Sequence, residues 1–231
     1  MTATNAIGGA DAPTVWSPTA KVVIGAGLAA WAAIAYVIGI TGLATAPETQ
    51  IFRPIGLTAA VPVALFAAAY ATSARVRDFV LSQDLRALTM LQHWRVVGFS
   101  FLLLYAHGVL PGLFAWAAGV GDVLVGLAAP AVVARLARDP AFARSRRFVT
   151  YHALGVLDFA VAVGAATLAS GAFPSLVSGP VTAAPMEVWP LNLFPSLIVP
   201  VFIILHLSVF LQVRALRRAA SAPGAAALRA A

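Results

Sequence analysis

The chain has 231 residues, of which 61% are apolar and only 10% charged, and its mean hydropathy is +0.91. Soluble domains carry about 25% charged residues, so no water-facing shell can be built from this composition, and the wealth of apolar surface excludes a disordered chain. Cysteine is absent, which removes disulfides, thiolate nucleophiles, iron–sulfur ligation and every Cys-containing zinc site.

Taken in chain order, six apolar stretches reach the ~20 residues that a helix needs to cross a bilayer core about 30 Å thick. They are Lys21–Leu43, Ile55–Arg75, Met90–Val109, Pro111–Ala134, Phe148–Ser170 and Pro190–Arg214. Each is continuously apolar rather than alternating, so membrane β-strands are not expected. The sequence therefore predicts an all-α polytopic membrane bundle of six transmembrane helices. Residues 1–19 are expected to form a flexible N-terminal tail, 20–215 the membrane domain, and 216–231 a disordered C-terminal tail. The first tail has no base before Lys21, so it lacks the positive start of a secretory signal. Between spans two and three, Val76–Thr89 mixes charges with spaced Phe79, Leu81, Leu85 and Leu88, and is expected to lie along the membrane surface. His107–Gly112 makes a tight turn between spans three and four. The connector Gly171–Trp189 is rich in proline and reads as an outer loop or lid.

Basic residues set the orientation. Arg75, Arg77 and Arg86 follow span two; Arg135, Arg138, Arg144, Arg146 and Arg147 follow span four; Arg214, Arg217, Arg218 and Arg229 follow span six. With Lys21 and Arg95, fourteen of the fifteen bases fall toward one side, and only Arg53 lies on the other. The positive-inside rule then predicts both termini in the cytoplasm. The net charge of +7, from 15 bases and 8 acids, is a topology signal with some attraction to anionic head groups. No basic face with aromatic platforms is present, so nucleic acid is not an expected partner. The lipid bilayer is.

An ionisable side chain deep in an apolar helix needs a reason, because it costs at least a few kcal/mol there. Asp122 and Asp158 each fall ten or eleven residues into a span, about 15 Å deep at the helical rise. They share a local pattern, Gly-Val-Gly-Asp at Gly119–Asp122 and Gly-Val-Leu-Asp at Gly155–Asp158. Small residues flank each at helical spacing: Ala115, Gly119, Gly126 and Ala129 in span four, and Gly155, Ala162, Ala165 and Ala169 in span five. Such stripes let membrane helices approach closely, so the two acids are expected to meet across the interface of spans four and five. Arg95, His206 and Asn192 are candidates at compatible depth, with His152, one turn inside span five, and His93 weaker ones. Two close carboxylates cannot both ionise cheaply, and beside histidine they suit a proton relay or cation site. A self-satisfied Asp–Arg or Asp–His bridge that fixes helix packing is the structural alternative. Pro190, Pro195 and Pro200 interrupt span six, and broken helices line transporter sites.

Histidines on different spans also raise haem, which needs axial ligands; pairing His152 with His206 is open, though no spacing fixes it. No cofactor is expected otherwise, and no H-E-x-x-H or other close ligand pair suggests a metal.

Leu-Pro-Gly-Leu-Phe-Ala-Trp-Ala-Ala-Gly-Val-Gly-Asp-Val-Leu-Val-Gly-Leu-Ala-Ala-Pro, Leu110–Pro130, resembles the signature of a family of uncharacterised bacterial six-helix inner-membrane proteins. The resemblance extends to Gln92 and Arg95, to Leu154–Asp158 and to the proline-spaced run ending at His206. An Asn commonly precedes the L-G-x-x-D stretch of that family, where this chain has His152. The resemblance implies a multi-pass inner-membrane protein and brings no known activity. The residues point first to permeation of a small solute or ion, coupled to protons, at Asp122, Asp158, His206, Arg95 and Asn192. A membrane-embedded enzyme or cofactor protein and a packing or assembly subunit are the alternatives. Six helices can enclose a narrow path alone or as a homo-oligomer. The shared G-V-x-D pattern relates spans four and five rather than the two halves, so no inverted repeat supports transport.

Overall fold

The computed structural model describes residues 18–177 and 179–221, all helix, turn and loop, with no strand among them. Helices α1 (Pro18–Thr41) and α2 (Ile55–Thr72) precede a short amphipathic α3 (Ala74–Leu81). The third span is composite: α4 (Leu85–Leu91), a 3-10 stretch Gln92–Gly98, and α5 (Phe99–Ala106). Then come α6 (Gly112–Arg138), a 3-10 turn Pro140–Arg144, α7 (Arg146–Leu168), a π-wound turn Phe194–Ile198 and α8 (Val199–Ser221). Six helices are long and apolar enough to cross a membrane, in the order expected. Most of the predicted N-terminal tail and residues 222–231 of the predicted C-terminal tail lie outside the described residues. Within them, α8 runs past residue 215 to Ser221.

Local chemistry places the breaks. At the arginine-rich end each new helix starts on a capping side chain that accepts an otherwise unpaired backbone N–H. Ser73 Oγ accepts from Val76, Asp84 Oδ1 from Arg86 at 2.9 Å, and Ser145 Oγ from Phe148 at 3.1 Å. Asp84 thus ends the surface segment early. Leu85–Thr89, expected on the membrane surface, instead opens span three. At the opposite end Gly108 takes φ +70°, which a side chain would resist, and so closes the turn between spans three and four.

Spans three to six form the core, and α1 and α2 pack around it; α2 contributes no buried residue. The core has three layers. Toward the arginine-rich end Leu88, Leu136, Ala143, Phe148, Val209 and Val213 form an apolar cluster. Toward the other end Phe101, Leu110, Phe114, Ala115, Ala118 and Met186 form a second. Between them lies a polar layer of fully buried Thr89, Gln92, Arg95, His152 and His206.

The end opposite the arginines is tied by one ion pair. Arg53, before α2, donates from Nε and Nη2 to the two carboxylate oxygens of Glu187, in the connector before α8. Arg53 Nη2 and Nη1 also donate to the carbonyls of Ala46 (2.6 Å) and Pro47 (2.9 Å), and the Ala46 N–H donates to Glu187. The Glu187 hydrogen bond and charge hold the Arg53 guanidinium above its ordinary pKa.

Candidate functional site

Arg95 is the centre of the polar layer. Its place follows from the winding of span three: three residues per turn keep Gln92, Arg95 and Gly98 in one line, with Thr89 at the end of the α4 turn before them, and all four are buried. From there the guanidinium reaches two spans at once. Nε donates to Asp122 Oδ1 on α6 at 2.7 Å, and Nη2 donates to Asp158 Oδ2 on α7. Nη1 donates to the Gly155 carbonyl at 3.0 Å and meets His206 Nε2 on α8 at 3.3 Å. The guanidinium carbon lies 3.9 Å from the centroid of the Phe159 ring, within cation–π range. Both carboxylates are nearly enclosed, with side chains 13% and 10% exposed.

The arginine also fixes the histidines. A guanidinium only donates, so His206 Nε2 must accept and the ring proton must sit on Nδ1. That proton is donated to His152 Nδ1, 2.8 Å away. His152 then carries its proton on Nε2 and gives it to Thr89 Oγ1 at 3.3 Å, and Thr89 Oγ1 donates to the Leu85 carbonyl at 2.7 Å. The result is a one-way chain, Arg95 to His206 to His152 to Thr89 to Leu85. It is complete only with both imidazoles neutral, because a proton added to either ring would set donor against donor.

Glycine makes room for each of these groups. A Cβ at Gly98 would overlap the Asp122 side chain, one at Gly121 the Asp158 carboxylate, and one at Gly155 the His206 ring. The small-residue stripe of α6 faces span three more than α7: a Cβ at Gly119 would meet Leu102 and the Gly98 carbonyl, and one at Gly126 the Val96 amide. The acids therefore do not meet directly across spans four and five; Arg95 stands between them and neutralises part of their charge. Gly155→Ala should lower stability by about 1–3 kcal/mol, the usual range for overpacking, while Gly164→Ala, with nothing within 4 Å of the added atom, should not. Thermal unfolding of the purified variants in detergent reads the difference.

Of the predicted residues the structure brings Asp122, Asp158, Arg95 and His206 together. Asn192 is elsewhere. It is fully buried against α1, where its Nδ2 donates to the Ala35 carbonyl at 2.7 Å and its amide fills a notch left by Gly39. In the π-wound turn of span six the Ser196 carbonyl accepts from Trp31 Nε1 of α1 at 2.8 Å, and Ser196 Oγ donates to Thr58 Oγ1 of α2 at 2.9 Å. His93 bonds the Gly126 carbonyl at 3.0 Å, outside the cluster. Sequence reasoning undervalued His152 and missed Thr89 and Phe159. Two spacings carried the signal, Thr89–Gln92–Arg95 in steps of three and His152–Gly155–Phe159 at i, i+3, i+7.

A haem held between His152 and His206 does not fit. Their facing nitrogens are 2.8 Å apart and hydrogen-bonded, too close to share a metal when a single metal–nitrogen bond is already about 2 Å. Among the described residues no group of three or more His, Asp or Glu side chains could hold a metal ion.

Residues 51–214 match the family model described as a domain of unknown function, DUF8737. The chain belongs to this family. The DUF8737 match takes in every member of the Arg95 network, from Leu85 to His206, and leaves the peripheral α1 outside it. No curated protein and no solved structure matches the chain.

Proposed function

We propose that this multi-pass membrane protein moves protons, alone or together with a small solute or ion, and that Asp122 and Asp158 are the groups that exchange them. One observation carries the reading: two carboxylates from two spans share a single guanidinium, while the neighbouring histidines are held neutral by their hydrogen bonds. With both acids ionised, the cluster has one negative charge more than Arg95 can balance. In a low-dielectric interior that charge calls for a counter-ion, and a proton or a small cation supplies it. Arginine does not give up its own proton, so exchange takes place at the carboxylates. Protonating one of them weakens half of the hold on Arg95. While Arg95 donates to His206 Nε2, that nitrogen accepts no other proton and the histidine chain stays closed; release of Arg95 opens it. Gln92, in line with Arg95, is fully buried with both amide atoms unpaired, a cost of about 1–3 kcal/mol per group that a passing polar species would relieve. By the distribution of bases, the arginine-rich end is placed in the cytoplasm, and the resemblance of Leu110–Pro130 suggests the inner membrane of a bacterium.

The test is proton movement into liposomes containing the purified protein, followed with an enclosed pH-sensitive dye under an imposed pH gradient. Asp122→Asn and Asp158→Asn should each slow it about a hundredfold or more, the low end of what a positioned proton-transfer group contributes. A second reading, that the cluster only fixes helix packing, is favoured by one fact: four of the five guanidinium N–H groups and every ring nitrogen of the two histidines already have partners. Flux unchanged in both variants, with stability lowered, would establish that reading instead.

A further inference from the structure

A second charged feature lies apart from the Arg95 cluster, at the arginine-rich end. Where α6 passes through the Pro140–Arg144 turn into α7, a pocket of about 410 Å³ is lined by Arg135, Asp139, Ala141, Phe142, Ser145 and Arg147. Neither arginine is ion-paired among the described residues, whose salt bridges involve only Arg53, Arg86 and Arg95. Arg135 lies over the Phe142 ring, 5.9 Å from its centroid, which holds the guanidinium at the wall. The one acid of the lining is engaged, since Asp139 Oδ1 accepts from the Ala141 N–H at 3.0 Å. Ser145 Oγ is engaged as the cap of α7. Two guanidinium charges against one carboxylate leave the pocket one positive charge. A phosphodiester carries one negative charge, and its oxygens match the arginine fork.

We propose that this pocket binds the phosphodiester of an anionic lipid head group, in the leaflet at the arginine-rich end, with Arg135 and Arg147 on the phosphate and Phe142 and Ala141 against the glycerol. Basic pockets between membrane helices are a known setting for anionic head groups. The pocket also abuts the core: Phe142 packs on Phe148, and Phe148 on His152, with ring centroids 5.7 and 4.8 Å apart. A bound lipid therefore braces the connector that holds the start of α7.

Native mass spectrometry of the full chain in neutral detergent, titrated with phosphatidylglycerol or with phosphatidylcholine of the same acyl chains, tests this. Phosphatidylglycerol should bind more tightly, and Arg135→Gln/Arg147→Gln should weaken it about 30-fold, at roughly 1 kcal/mol per base. Arg147→Gln alone should weaken it about fivefold by the same measure, and this covers the case in which the double variant does not fold. Arg214→Gln/Arg218→Gln removes the same charge from the same end and should change binding less than twofold. Equal loss in the two double variants would reduce the effect to general attraction and overturn the proposal, as would equal affinity for the two lipids. Inorganic phosphate at millimolar concentration should not displace the lipid; displacement that Arg135→Gln/Arg147→Gln abolishes would identify free phosphate as the ligand and overturn the lipid assignment.

Discussion

Arg95→Gln is expected to lower stability by about 3–5 kcal/mol, the range found when one partner of a buried ion pair is removed. The substitution takes from two almost enclosed carboxylates the guanidinium they share, and it removes the bonds that Arg95 donates to the Gly155 carbonyl and His206 Nε2. Thermal unfolding in detergent is the measurement. The triple variant Arg95→Gln/Asp122→Asn/Asp158→Asn removes all three charges with little change in volume, and it should recover most of the loss. Such recovery marks the penalty as that of uncompensated charge. If Arg95→Gln is instead neutral, the carboxylates carry no charge for the arginine to balance, and the proton-exchange account loses its basis.

Glu187→Gln should have the next largest effect, about 3 kcal/mol, the lower end of the same range. Arg53 keeps the carbonyls of Ala46 and Pro47 but loses its counter-charge, in a place where its side chain is only 8% exposed. The pair joins the connector before α2 to the one before α8, so its loss should also raise proteolytic cutting between residues 169 and 193. The sign of the pH effect follows from Glu187 raising the Arg53 pKa. On the alkaline side, stability gained this way is kept up to the ordinary pKa of arginine and is lost only above it. Raising the pH to 10 should therefore leave this contribution intact, which a melting series at pH 7, 8.5 and 10, compared with Glu187→Gln, would read.

How much of this was legible in the residues depends on which physical rule governed each one. Span number and order follow from length and hydropathy, so six spans could be read directly. Asp122, Asp158, Arg95 and His206 stood out because charge and imidazole are costly in an apolar helix, and all four converge. Their arrangement was not legible. A straight α-helix offsets Gln92, Arg95 and Gly98 by about 60° at each step, and the 3-10 winding lines them up. One straight helix from Pro190 would put Asn192 on the face of His206. The turn and π winding before Val199 rotate it instead toward Gly39 of α1. Sequence position alone puts His152 near the interface, one turn into the span, yet it is fully buried, because Phe148 and the Pro140–Arg144 turn cover that end of α7.

The mixed winding of span three has a mechanical consequence. A 3-10 stretch rises about 2.0 Å per residue against 1.5 Å for an α-helix, so its seven residues are about 3.5 Å longer than the same residues in α form. Each residue also advances by about 120° rather than 100°. Conversion to α would draw Phe99–Ala106 toward the arginine-rich end by that length and swivel it by about 140°.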